Sequence, residues 1–202
     1  MTRTGRLVVG ITGASGGIYA IRFLKQATHH FQEIYLICSE QAIQVMQTEL
    51  GMDVSRETLT AERLLGYPWA GLKVLDPRDY FSPPASGSFR HDGMVLIPCS
   101  MGTLGRVAQG ISDDLMTRAA DVCLKERRPL ILVVRETPFN LVHLRNMVQA
   151  AEAGAIILPA NPSFYNRPKT LEEAVDTVVA RTLQALGIEQ KLVPEWGMAE
   201  ER

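Results

Sequence analysis

At 202 residues with 46% hydrophobic side chains, the chain is long enough for one domain with a sizeable core. A formal net charge of −1 excludes nucleic acid or an anionic membrane as partner of the whole surface. Cys38, Cys99 and Cys123 lie far apart without metal-ligand spacing and no apolar run could span a bilayer, so the expectation is a cytoplasmic protein without disulfides or metal.

The chain opens on an apolar run that predicts a strand over 6–12. That run ends in Gly13-Ala14-Ser15-Gly16-Gly17 and passes into a helix predicted over 16–29, with apolar Ile18, Ile21, Phe23 and Leu24. In a strand, glycine-rich turn and helix, backbone amides and the helix dipole together offer a seat to a phosphate. Gly10, Gly13 and Gly16 are spaced three apart, which matches neither the dinucleotide fingerprint nor a Walker A loop. A tight turn that binds nothing is the plain alternative. A strand over 33–38, helices over 40–50 and 58–65, and a strand over 72–75 follow. Segment 76–92, with Pro83-Pro84-Ala85-Ser86-Gly87-Ser88, reads as a long loop of small residues, a type that often serves a site. Beyond it come a strand over 93–98, helices over 102–110 and 113–127, and a strand over 129–135. A helix over 140–153, a strand over 155–158 and a helix over 170–186 complete the pattern, the last opening on a Thr170/Glu173 capping box.

Apolar strands alternating with helices predict an α/β fold, a three-layer Rossmann-like (flavodoxin-like) parallel sheet in a single domain over 1–187. Residues 188–202 form a polar tail that still carries Trp196, and this tail is expected to dock at a subunit interface.

In such a sheet, ligands gather past the carboxyl ends of the strands. Ser15, Ser39, the run from Cys99 to Thr103, the Arg135-Glu136 pair and the run from Asn161 to Pro168 stand there. Hydroxyls, amides and a guanidinium suit a phosphate and a polar ring edge. No Ser-His-Asp logic is visible, which argues against acyl-transfer hydrolysis. In the helix over 113–127, Asp114, Arg118, Asp121 and Lys125 share one stripe, and the pattern alone favours a solvated, ion-paired face. Arg181 lies on the flank of the last helix's apolar stripe, where it either snorkels or points into a site.

Several segments together resemble the UbiX-type flavin prenyltransferases over nearly the whole chain. They are Thr12 to Gly16, Pro84 to Ser88, Pro98-Cys99-Ser100, Arg118 to Leu130, Arg135 to Pro138, Phe164-Tyr165 and Pro194 to Gly197. The stretch from Arg118 to Leu130 running on to Arg135-Glu136 is the specific part; Thr-Gly-Ala-Ser-Gly alone would be weak. The resemblance implies transfer of a dimethylallyl group from dimethylallyl monophosphate to N5 and C6 of reduced FMN, with no metal. It further implies that a UbiD-type decarboxylase uses the prenylated FMN, and that the enzyme is a homo-oligomer, a dodecamer in this family.

By the same resemblance, Gly13, Ala14, Ser15, Ser39, Glu49, Ser100, Met101, Gly102, Thr103 and Arg135 fall at flavin-binding positions. Arg118, Lys125, Arg135, Tyr165 and Arg181 match the cluster holding the dimethylallyl phosphate, contributed by more than one subunit. Glu136 matches an acidic residue assisting proton transfer near the flavin N5, acting with Lys125 and Arg118. Tyr80 stands where relatives often place tryptophan, at the prenyl wall. The alternatives are a short-chain dehydrogenase, a flavin-dependent decarboxylase and a non-catalytic FMN carrier. Pro168 breaks the helical turn that a Tyr165/Lys169 pair would need, which argues against the dehydrogenase.

Overall fold

Apolar residues on both faces of nearly every strand dictate where the sheet sits: between two helical layers. The computed structural model describes residues 4–194. Its strands are β1 (Arg6–Ile11), β2 (Glu33–Cys38), β3 (Leu72–Leu75), β4 (Met94–Cys99), β5 (Leu130–Val134) and β6 (Ile156–Pro159). They pair in parallel in the order β3-β2-β1-β4-β5-β6. The chain therefore steps outward from β1 to β3, then returns to build the other half. The reversal lies between β1 and β4, where open α/β sheets form their ligand crevice.

Period-two alternation divides the core. Leu7, Val9, Ile11, Val95 and Val133 face α1 (Gly17–Ala27), α2 (Glu40–Leu50), α3 (Ala61–Leu65) and α7 (Leu171–Ala185). Val8, Leu96, Leu130 and Leu132 face α4 (Met101–Ala108), α5 (Leu115–Lys125) and α6 (Leu141–Glu152) on the opposite side. Arg22 and Asp176 clasp α1 to α7, with Nε donating to Oδ1 at 2.8 Å and Nη2 to Oδ2.

All six strands and seven helices read from the sequence are present among the described residues, most with trimmed ends and β4, β6 and the start of α4 shifted by one residue. The trimming has a cause. Thr60, Asp114, Asn140 and Thr170 are N-caps in extended conformation, so each of these helices starts one residue after its cap, whereas α4 begins at Met101, one residue before its expected start. Segment 76–92 is a loop, as expected, but it holds a 3-10 turn at Pro83–Ala85 that packs on α5. Arg118 Nε donates to the Ala85 carbonyl at 3.1 Å, and Arg128 donates to the Phe89 and Gly87 carbonyls at 2.7 and 2.6 Å.

Burial pushes the thiols of Cys38, Cys99 and Cys123 up to about 12, which leaves all three protonated at neutral pH. No helix among the described residues is long and apolar enough to cross a membrane. The start of the tail belongs to the core: Ile188 is buried and Leu192 packs beside it. Trp196 and the tail beyond Pro194 lie outside the described residues.

Candidate functional site

Three loops converge past the carboxyl ends of β1, β2 and β4, and sequence dictates what each presents. After β1, Gly16 adopts φ 108° and serves as N-cap of α1, but it has no side chain with which to cap. Glu49, near the end of α2, does it instead. Its carboxylate accepts from the Gly16 amide at 2.9 Å and from the Gly17 amide at 2.9 Å. Burial pushes this carboxyl up, but the Ser15 hydroxyl, the two amides and the Arg135 charge together hold it below the ordinary carboxylate range. The anion expected at the glycine turn is thus, at Gly16 and Gly17, the chain's own.

That corrects the reading of the glycines as one phosphate seat. Gly10 and Gly13 are glycines for packing: a Cβ on Gly10 would meet Leu96 Cδ2 at 2.3 Å, and one on Gly13 would meet Gln41 Cβ at 2.3 Å. Upstream of Glu49's pair, the Ala14 and Ser15 amides have no acceptor among the described residues.

After β2, Ser39 donates its amide to the Ile11 carbonyl at 3.0 Å and caps α2 through its hydroxyl, which accepts from the Ala42 amide at 3.1 Å. After β4, Ser100 caps α4, its Oγ accepting from the Thr103 amide at 3.3 Å. Met101 and Thr103 point their side chains into the protein, so α4 offers the site its first amides rather than those side chains. Gly102 faces open space: no heavy atom lies within 4 Å of where its Cβ would stand. Arg135 follows β5, tied by its amide to the Cys99 carbonyl at 3.1 Å. Its charge acts on Glu49 and on Tyr19, whose phenol is pushed up by burial and donates to the Ala160 carbonyl at 3.3 Å. Unpaired amides, hydroxyls and one guanidinium gathered past the carboxyl ends of the strands suit a phosphate-bearing, flat polar ligand. The ten expected flavin positions therefore cluster at one edge.

The expected phosphate cage does not assemble within one chain. Arg118 and Lys125 lie on α5, on one face of the sheet, whereas Arg181 lies on α7, on the other. Arg118 pairs with Asp121 at 2.8 Å, Lys125 pairs with Glu126, and Asp114 is spent on a capping box with Thr117. Within the chain the α5 stripe is thus the ion-paired face that its pattern favours. Lys125 ends α5 just before β5, and Glu136 follows it: a five-residue strand, about 17 Å long, separates them. Glu136 is exposed and accepts from the Thr137 amide at 3.0 Å. Tyr80 donates to the Ser112 carbonyl at 3.2 Å. Tyr165 and Arg181 do meet, in a depression of about 230 Å³ also lined by Ser163 and Asn166, where Arg181 donates to Gln184 at 2.7 Å.

One residue escaped the sequence reading and another was read without its role. Tyr19 and Thr12 both reach their partners across the sheet edge, and nothing local in the chain signals such a contact.

The Glu49 clasp has a pH signature. A carboxyl lowered on folding stabilises above its unfolded pKa of about 4.3, and that gain is lost as pH falls through the lower folded value. Because Glu49 is largely exposed, the gain is discounted to about 1 kcal/mol. Glu49→Gln is expected to melt about 2–4 °C lower than the parent at pH 7. The gap should close below the ordinary carboxylate range, and thermal melts across that window check it.

The flavoprotein family model matches residues 1–192. The flavin prenyltransferase UbiX of Alkalihalophilus pseudofirmus is 44% identical over 191 residues, covering 95% of this chain and 96% of its own. Among solved structures, AnUbiX (PadA1) in complex with FMN and dimethylallyl pyrophosphate superposes with a TM-score of 0.84 at 36% identity, covering 99% of this chain and 100% of its own. A dodecameric FMN-dependent UbiX-like decarboxylase from Escherichia coli O157:H7 gives 0.82 at 38% identity, covering 95% and 98%.

Proposed function

The chain belongs to the UbiX family of flavin prenyltransferases within the flavoproteins, and from that premise we propose that it joins a dimethylallyl group from dimethylallyl monophosphate to N5 and C6 of reduced FMN. The observation that carries this reading is full-length kinship combined with unpaired amides at the carboxyl edge of the sheet that suit a flavin nucleotide.

FMN is here a substrate, and its reduced ring supplies the nucleophile. The chain's part is to hold, orient and stabilise charge. Ala14, Ser15, Ser39, Gly102 and Arg135 hold the nucleotide, and Glu49 keeps the glycine turn in shape. Arg118 and Lys125 of one copy meet Arg135, Tyr165 and Arg181 of another around the leaving phosphate, where clustered cations stabilise the charge that builds as the allylic C–O bond breaks. Tyr80 shields the allylic group from water, and Glu136 moves a proton beside N5. The assembly is a homo-oligomer, taken as a dodecamer like its Escherichia coli relative. Exposed Leu141, Val142, Leu144 and Val148 on α6 give it apolar contact surface. A UbiD-type decarboxylase uses the product, and the reaction takes place in the cytoplasm.

Anaerobic incubation with reduced FMN and dimethylallyl monophosphate tests the reading by mass spectrometry. A flavin heavier by one five-carbon prenyl unit is expected. Unmodified FMN from an otherwise competent, flavin-loaded protein would mark a carrier instead.

A further inference from the structure

The ladder between β1 and β4 ends at Gly10 and Leu96, just where the sheet's topology reverses and the crevice opens. Past that point one side chain takes over. Thr12, 2% exposed, donates its hydroxyl to the Pro98 carbonyl at 2.7 Å and accepts from the Ser100 amide at 2.8 Å. Its own amide adds a bond to Pro98 at 3.3 Å. Among the described residues, no other side chain makes a hydrogen bond between the β1–α1 and β4–α4 loops.

We propose that Thr12 is a positioning residue for the flavin nucleotide: its hydroxyl fixes the spacing between the Ala14/Ser15 amides and the first amides of α4. The inference rests on the flavin reading above and deepens it. Two donor sets on separate loops clasp one ligand only if held to about 0.5 Å, and loops do not hold such spacing unaided. The bridge also decides which donors remain. It occupies the Ser100 amide, as Glu49 occupies those of Gly16 and Gly17, so the ligand is left with Ala14 and Ser15 on one side and the start of α4 on the other. A methyl in place of the hydroxyl leaves the Ser100 N–H and one lone pair of Pro98 without a partner, and the loops are then free to separate.

Thr12→Val keeps the shape and removes the hydroxyl; Thr12→Ser keeps the hydroxyl. Fluorescence titration with FMN, well below the melting temperature of each variant, is expected to show Thr12→Val binding about tenfold more weakly than wild type, with Thr12→Ser within about threefold. A merely structural threonine would lower the melting temperature and leave the affinity of the folded protein unchanged. The KM for dimethylallyl monophosphate at saturating FMN should stay unchanged in both, because the cations stand on other elements. Wild-type binding of FMN in the same titration bears on the family reading by itself. With that binding in hand, equal affinities for wild type and Thr12→Val, or equal losses in the two variants, overturn the role of the bridge alone. Should Thr12→Val not fold, hydrogen exchange at the Ser100 amide of the wild-type protein decides: protection before FMN is added supports the bridge, and free exchange overturns it.

Discussion

Mixing Lys125→Ala protomers with Arg181→Ala protomers is expected to restore prenyl transfer that neither variant performs alone. Each truncation removes one cation from the developing phosphate and should lower kcat/KM for dimethylallyl monophosphate by about 100-fold. The argument for rescue is topological. Lys125 lies on α5, packed on one face of the sheet, and Arg181 on α7, packed on the other. If a site takes α5 from one copy and α7 from another, an equimolar random mixture leaves about a quarter of sites with both native side chains. Activity near that share is the expected outcome of denaturing and reassembling, or of co-expressing, the two variants. A chain carrying both substitutions, mixed with wild type, should likewise retain about a quarter of wild-type activity. Equal mixtures that stay as inactive as their components would overturn the proposed sharing of the cations between copies. FMN titration of each variant separates this from a flavin defect, since neither residue is placed against the nucleotide.

The same contrast explains what could be read from the chain and what could not. Val8, Val9, Ile131 and Val133 sit in runs apolar at every position, and only a strand covered on both sides uses such a run. Strand count, helix count and layer order follow from that. Helix starts drifted because a cap looks like a helical residue until its φ and ψ are known: Asp114 and Thr170 are extended at −148°, 170° and −123°, 165°. The site was legible as a set of loop residues, because the carboxyl ends of parallel strands are fixed by the order of elements. How those residues are used was not. The glycine turn reads as an anion seat on dipole and amides alone, and only the fold brings Glu49, 33 positions away, into it. Thr12 likewise reads as the last residue of a strand, and its partners are 86 and 88 positions off. Periodicity carries no information about such distant polar contacts. Nor does it say on which face of the sheet a helix packs, which is why the stripe on α5 read as both an ion-paired surface and half of a cage.

Gly102→Ile is expected to abolish flavin binding, with at least a 100-fold loss of affinity for FMN, while the fold stands. Position 102 is the second residue of α4, and a Cβ there meets no heavy atom of the chain within 4 Å. Glycine is a poorer helix former than isoleucine, so the melting temperature should hold or rise slightly. The space the new side chain enters is that over the first amides of α4, where the proposed function puts the nucleotide. A bulky group there removes amide contacts and overlaps the ligand, and several kcal/mol of lost binding follow from those two effects together. Gly13→Ala makes the opposite case. Its Cβ would collide with Gln41 Cβ at 2.3 Å, so any loss of flavin there comes with a loss of stability. Thermal melts, sedimentation and FMN titration of the two variants side by side separate ligand space from packing space. Gly102→Ile with native stability, native oligomeric mass and native FMN affinity would remove the flavin from the start of α4 and, with it, the placement of the nucleotide across the β1–β4 crevice.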